Sequence, residues 1–182
     1  TTPLDAQVAQ AMEPLWAQAF GNPASVEHAR GLAAADRVAA ARQQVAGALG
    51  AEAREIVFTS GATEANNMAV LGAARFRKQH EGRTKVLVFE TEHSCVLGAA
   101  KALAEEGFQV VTLPVQPDGS ADLGALDKAL DANVALVCLM LANNEVGTMI
   151  DLDRVAALCT QYGAVFHSDT VQSVGHFPVN VQ

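Results

Sequence analysis

Seven consecutive residues, Val134-Ala-Leu-Val-Cys-Leu-Met140, are apolar at every position. A strand with one wet face alternates apolar and polar side chains, so an unbroken run marks a strand buried on both faces, as central strands of parallel sheets are. Helices must then cover both sides of that sheet. The rest of the chain agrees, because from residue 54 onward short β-branched or apolar runs alternate with longer segments of helical period. Strands are expected at Glu55–Thr59, Lys85–Phe89, Gln109–Leu113, Val134–Met140 and Ala164–His167. Leu152, Val155, Ala156, Cys159 and Tyr162 form one helical stripe with Asp151 placed to cap its first turn, and Asp122 opens a similar segment through Leu123, Leu126 and Leu130. Two earlier helices are expected at about 5–19 and 29–49, the second closed by Gly50 and the two separated by Gly21-Asn22-Pro23. The pattern predicts an α/β fold, a three-layer α/β/α arrangement around a mostly parallel sheet. It also predicts an N-terminal helical segment over residues 1–50 and an α/β domain over 51–182.

With 182 residues, half of them apolar, the chain can bury a core of its own. Its formal charge of −8 repels phosphate backbones and anionic lipid surfaces, so neither nucleic acid nor membrane is an expected partner. The longest apolar run, Val134–Ala142, falls far short of the ~20 residues of a bilayer-spanning helix, and the first residues lack the plan of a signal peptide. Cys95, Cys138 and Cys159 show no C-x-x-C spacing, which suggests neither a disulfide framework nor a metal site. Reduced thiols fit an expected cytoplasmic location.

Open parallel sheets bind ligands beyond the carboxyl ends of their strands, where loops and helix N-termini converge. Four polar clusters come after the expected strands: Ser60-Gly61-Ala62-Thr63-Glu64, Glu92-His93, Asn143-Asn144-Glu145, and Asp169 with Gln172. The first has the makings of an anion cradle, since a glycine turn frees backbone N–H groups, Thr63 adds a hydroxyl and a helix start adds its positive end. Taken alone, such a motif is more often a helix cap than a phosphate site. A carboxylate at the Asp169 position needs a cationic or protonated partner, which a ring nitrogen, an arginine or a helix N-terminus can each supply. His93 alone reads as a loop histidine, and Asn143 and Asn144 as turn residues. The cradle matches neither the Walker A pattern nor G-x-G-x-x-G.

Taken jointly, Ser60-Gly61-Ala62-Thr63-Glu64-Ala65-Asn66-Asn67, Glu92-His93, Asn143-Asn144-Glu145-Val146-Gly147 and Asp169-x-x-Gln172-Ser173-Val174-Gly175 resemble, in order and spacing, the cysteine desulfurases. These belong to class V of the fold-type I pyridoxal-phosphate enzymes. Thr1-Thr2-Pro3 and Gly21-Asn22-Pro23-Ala24-Ser25 resemble the family's N-terminal segment, so the likeness runs the length of the chain. The resemblance implies that residues 51–182 are part of a pyridoxal-phosphate-binding large domain. It implies that Ala62 and Thr63 bind the cofactor phosphate and that His93 stacks on the ring and assists proton transfer as the catalytic residue of this segment. Asp169 would pair with the protonated pyridine nitrogen, and Asn144 and Gln172 would bond the phenolic oxygen, Asn144 also reaching the substrate carboxylate.

The implied reaction converts L-cysteine to L-alanine and passes sulfur as a persulfide to an enzyme cysteine, then to an acceptor or scaffold protein, for iron-sulfur cluster or thio-cofactor synthesis. The family also implies a homodimer. Its cofactor lysine lies in a Ser-x-His-Lys segment that this sequence does not contain, nor does the sequence match the family's sulfur-carrying cysteine, so a catalytically incomplete piece is expected. Lys78, Lys85, Lys101 and Lys128 are expected to be exposed and away from the site. Cys95, Cys138 and Cys159 are expected to be structural. Selenocysteine lyase resembles the pattern nearly as well, and a non-catalytic cofactor-binding or dimerising module is the alternative from another class.

Overall fold

The computed structural model describes residues 3–182, so Thr1 and Thr2 of the N-terminal motif lie outside the described residues. The chain divides into two compact units, one running through Val57 and joined by Val179–Gln182, the other spanning Phe58–Pro178.

The first unit carries α1 (Ala6–Ala17) and α2 (Ala29–Leu49). Asp5 caps α1 by accepting from the N–H groups of Gln7 and Val8. Between the helices, Asn22 turns the chain by accepting from the Ala24 N–H through its side chain and from the Ser25 N–H through its carbonyl. Gly50 ends α2 at φ +69°, a left-handed conformation that favours glycine.

The second unit carries α3 (Ala62–Glu81), β1 (Lys85–Phe89), α4 (Ser94–Glu105), β2 (Gln109–Leu113), α5 (Leu123–Ala129), β3 (Val134–Cys138), α6 (Leu152–Gln161) and β4 (Val165–His167). All strand pairs are parallel, in the order β2-β1-β3-β4. Val86 and Val88 of β1 pack with Val70, Ala74, Val96, Ala99 and Leu103 of α3 and α4. The alternate residues Leu87 and Phe89 pack with Leu126, Val155 and Cys159 of α5 and α6. This is the expected three-layer α/β/α architecture, and every residue of β3 is buried. Opposite Lys85 and Val86 the register of β3 skips Ala135, an irregularity that lets Ala135 and Leu136 share one face.

Three expectations need correction. Residues 55–59 form no strand: Ala53–Glu55 is a short 3-10 turn, and no ladder joins Ile56–Thr59 among the described residues. Val57 is 63% exposed and Phe58 48%. Apolar β-branched composition favours extended backbone, but a strand exists only through a partner. β3 stops at Cys138 rather than Met140, although the ladder persists as isolated bonds from Leu139 N–H to His167 O and from Leu141 N–H to Asp169 O. Lys85 is not exposed: its side chain is 12% accessible, and Nζ donates to Ala129 O at 2.6 Å and Asp131 Oδ2 at 2.9 Å. Lys78 is likewise half-buried, donating to Glu106 O and lying over the Phe108 ring, whereas Lys101 and Lys128 are exposed.

Candidate active site

The carboxyl edge of the sheet is built by the loops that leave its strands. The bond from Leu141 N–H to Asp169 O fixes the backbone of Asp169 beside the exit of β3. Asp169 is 8% exposed, with Oδ1 accepting from Val171 N–H at 3.0 Å and Oδ2 from Asn66 Nδ2 at 2.7 Å. No cationic side chain pairs with it among the described residues, which leaves a buried acid held only by neutral donors. Asn143 ties the β3 exit loop by donating to Thr91 O and accepting from the N–H groups of Glu145 and Val146. Asn144, the next residue, is exposed and its amide donates to Glu145 Oε1. Of the two asparagines, Asn143 shapes the turn and Asn144 faces outward from it.

Ala62, His93, Met140, Ala142, Asn144, Asp169, Val171 and Gln172 line one cavity of about 140 Å³ at this edge. It brings together five of the six residues singled out from sequence. Thr63 is not among its walls; it is exposed in the first turn of α3 beside Ala62. No lysine lines the cavity.

The start of α3 differs from that of every other α-helix among the described residues, because its N-cap, Gly61, makes no side-chain cap bond. Side chains of Asp5, His28, His93, Asp122 and Asp151 cap the other five. The first intrahelical bond runs from Ala65 N–H to Gly61 O, so the N–H groups of residues 62–64 have no acceptor within the helix. A Cβ on Gly61 would meet nothing within 4 Å, so the approach to these donors is open. Glu64, the one acid in that turn, folds back on Ser60, accepting from its N–H and its hydroxyl at 2.6 Å each. Those bonds hold its carboxyl below the usual range and anchor the loop.

Three further residues make contacts at the site that the sequence does not show. Glu92 stands out there only as the neighbour of His93, yet it is 5% exposed, with Oε1 accepting from Met140 N–H and Oε2 unpartnered. Burial raises its pKa to about 7; the Met140 N–H opposes this and the charge of Asp169 adds to it. Asn66 stands one turn after Ala62 on the same face of α3, a spacing that could have flagged it. Cys95 touches both Asn66 and His93. Among the described residues, Nε2 of His167 and the hydroxyls of Ser168 and Ser173 are also buried without partners, and burial pushes the His167 pKa down against the pull of Asp169. Cys138 and Cys159 are buried in the two halves of the core, and burial raises their pKa values, that of Cys159 to about 11.

A parallel sheet flanked by helices, with a buried acid and an uncapped helix start at its carboxyl edge, has the architecture of α/β domains that bind ligands beyond their strand ends. The family model for aminotransferase class-V matches residues 1–182, and the chain belongs to that family. It is 44% identical over 184 residues to the cysteine desulfurase of Homo sapiens, covering 100% of this chain and 39% of that protein. Among solved structures, a NifS-like protein superimposes with a TM-score of 0.92 at 33% identity, covering 100% of this chain and 49% of that one. SspA in complex with cysteine superimposes with a TM-score of 0.91 at 31% identity, covering 100% of this chain and 51% of that one. The chain thus spans about two fifths of the curated relative and half of the solved chains. Class V aminotransferases use pyridoxal phosphate, and the residues present fit it: open N–H donors for a phosphate, a flat ring at His93, and a buried carboxylate lacking a cation. Among the described residues no three His, Cys, Asp or Glu side chains could hold a metal ion together, and no helix is long and apolar enough to cross a membrane.

Proposed function

We propose that the protein to which this chain belongs is a pyridoxal-phosphate-dependent cysteine desulfurase. It would break the carbon–sulfur bond of L-cysteine, release L-alanine and leave the sulfur as a persulfide on an enzyme cysteine. The observation that carries this reading is the buried Asp169 carboxylate, free of any cationic partner, in the wall of a cavity shared with His93, Asn144 and Gln172. Bound there, the cofactor supplies an electron-accepting ring that stabilises negative charge at the substrate α-carbon. Asp169 would hold the proton on the pyridine nitrogen, since a buried carboxylate favours a protonated neighbour. The N–H groups of Ala62 and Thr63, with the Thr63 hydroxyl, would take the phosphate. His93 would lie against the ring, and the amides of Asn144 and Gln172 would orient the phenolic oxygen, Asn144 also facing the substrate carboxylate. Met140, Ala142 and Val171 would give the ring an apolar wall.

The proposal extends to an acceptor or scaffold protein that receives the sulfur for iron-sulfur cluster or thio-cofactor assembly, to a homodimer, and to a cytoplasmic setting in which the free thiols stay reduced. The test uses the full-length protein loaded with cofactor and measures alanine and persulfide from L-cysteine. Asp169→Asn is expected to lower turnover on the order of 100-fold while leaving the fold intact, as removal of one preorganised electrostatic partner does. Release of alanine without enzyme persulfide, or a strong preference for selenocysteine, would favour a lyase. Equal turnover by the variant would remove the assigned role of Asp169.

A further inference from the structure

Four side chains run without a break from the buried acid to the ring in the cavity wall. Asn66 Nδ2 lies 2.7 Å from Asp169 Oδ2 and 3.3 Å from Cys95 Sγ. Cys95 Sγ lies 3.0 Å from His93 Nδ1, and the Cys95 backbone N–H donates to the same Nδ1 at 3.3 Å as the cap of α4. The donor and acceptor inventory gives this run a direction. A carboxylate only accepts, so the Asn66 amide must turn its nitrogen toward Asp169. Its nitrogen has two hydrogens; one goes to Asp169 and the other to Cys95 Sγ. At the far end Nδ1 accepts from a backbone N–H, so it presents a lone pair and carries no hydrogen. The contact between Sγ and Nδ1 is therefore the thiol S–H donating to the same lone pair, shared with the Cys95 N–H in a three-centre bond.

We propose that this run holds the resting His93 as the neutral tautomer with its hydrogen on Nε2, so that the ring offers a donor rather than a base to the occupant of the cavity. Asn66 and Cys95 are positioning residues in this scheme, acting through His93 and Asp169. Nε2 has no protein partner among the described residues, so its hydrogen is free for a ligand. The opposite tautomer would set an Nδ1–H against the Cys95 N–H and strand the thiol hydrogen. The tautomer stands on hydrogen-bond geometry alone. Its service as a donor to cofactor or substrate rests on the desulfurase reading, and the experiment separates the two.

Full-length protein labelled with 15N at histidine would be studied at pH 8.5, first without cofactor and then loaded, with His93→Gln used to assign the His93 ring. One- and two-bond couplings between ring hydrogens and nitrogens report the tautomer directly. Wild-type protein is expected to show Nε2–H as the dominant form; a dominant Nδ1–H form would overturn the proposal. Cys95→Ser keeps a donor and should preserve the pattern. Cys95→Ala should lower the ratio of Nε2–H to Nδ1–H roughly threefold, the worth of a weak net hydrogen bond. An unchanged ratio in the alanine variant would remove Cys95 from the positioning role. Failure of the protein to take up cofactor would count against the proposed function while leaving the tautomer result intact.

Discussion

The two edges of the parallel sheet handle polar groups in opposite ways. At the amino edge, Arg83 donates to Val134 O and Tyr162 O and pairs with Glu81, Lys85 bonds Ala129 O and Asp131, and the Asn133 side chain accepts from Thr84 N–H. Arg77 leaves its Nε unpartnered, but its other nitrogens reach Glu81 and Gly163 O. At the carboxyl edge, Glu92 Oε2, His167 Nε2, Ser168 Oγ and Ser173 Oγ are buried without partners, and Asp169 has no cation, among the described residues. Orphaned buried polar groups cost stability, so an edge that accumulates them is kept for something other than stability. The amino edge satisfies most of its polar groups within the fold, and the carboxyl edge leaves several without a partner among the described residues.

The largest stability effect expected from this contrast lies in the pH dependence of Glu92. Its pKa of about 7 in the folded protein exceeds the ordinary 4.5, so the folded state binds this proton more tightly. The stabilisation is full below about pH 4.5, declines as pH rises, and is gone above about pH 7. At roughly 1.4 kcal/mol per pKa unit the span is on the order of 3 kcal/mol. Glu92→Gln keeps the acceptor for Met140 N–H and has no charge to bury. Urea unfolding of the full-length protein should show the variant gaining on wild type between pH 5 and pH 8. Parallel pH profiles for the two proteins would show that Glu92 is not the strained group.

A smaller effect is expected at the other edge. Arg83→Ala leaves the carbonyls of Val134 and Tyr162 without their donor and should cost about 2 kcal/mol at any pH between 5 and 8. Because Arg83 stands at the opposite edge from the cavity, cofactor affinity should be unchanged. A large drop in affinity, with little loss of stability, would break the division between the edges.

Much of this arrangement is legible in the sequence, and the misses share one cause. Unbroken apolarity at Val134–Met140 predicts the central strand, and the capping aspartates at 122 and 151 and Gly50 predict where helices begin and end, because these are local rules. Residues 56–59 have strand composition but no ladder, since pairing depends on a neighbour that composition does not contain. A lysine such as Lys85 is expected at the surface, yet the last residue of α5 supplies a carbonyl and the turn after it a carboxylate that draw it in. At the site, motif spacing locates Ala62, His93, Asn144, Asp169 and Gln172, but Thr63 lies outside the cavity. Asn66 and Glu92 owe their roles to contacts distant in sequence, with Asp169 and Met140, whereas Cys95 meets His93 two residues away.

The central claim is that the carboxyl edge keeps an unpaired acid for a protonated ring nitrogen, and the nitrogen itself reports it. Full-length wild type and Asp169→Asn, each loaded with pyridoxal phosphate 15N-labelled in the ring, would be compared by 15N NMR at pH 8.5. The account predicts a protonated pyridine nitrogen in wild type and an unprotonated one in the variant, since a neutral amide no longer favours the charged ring. The same unprotonated signal in both proteins, or the same protonated signal in both, would contradict it.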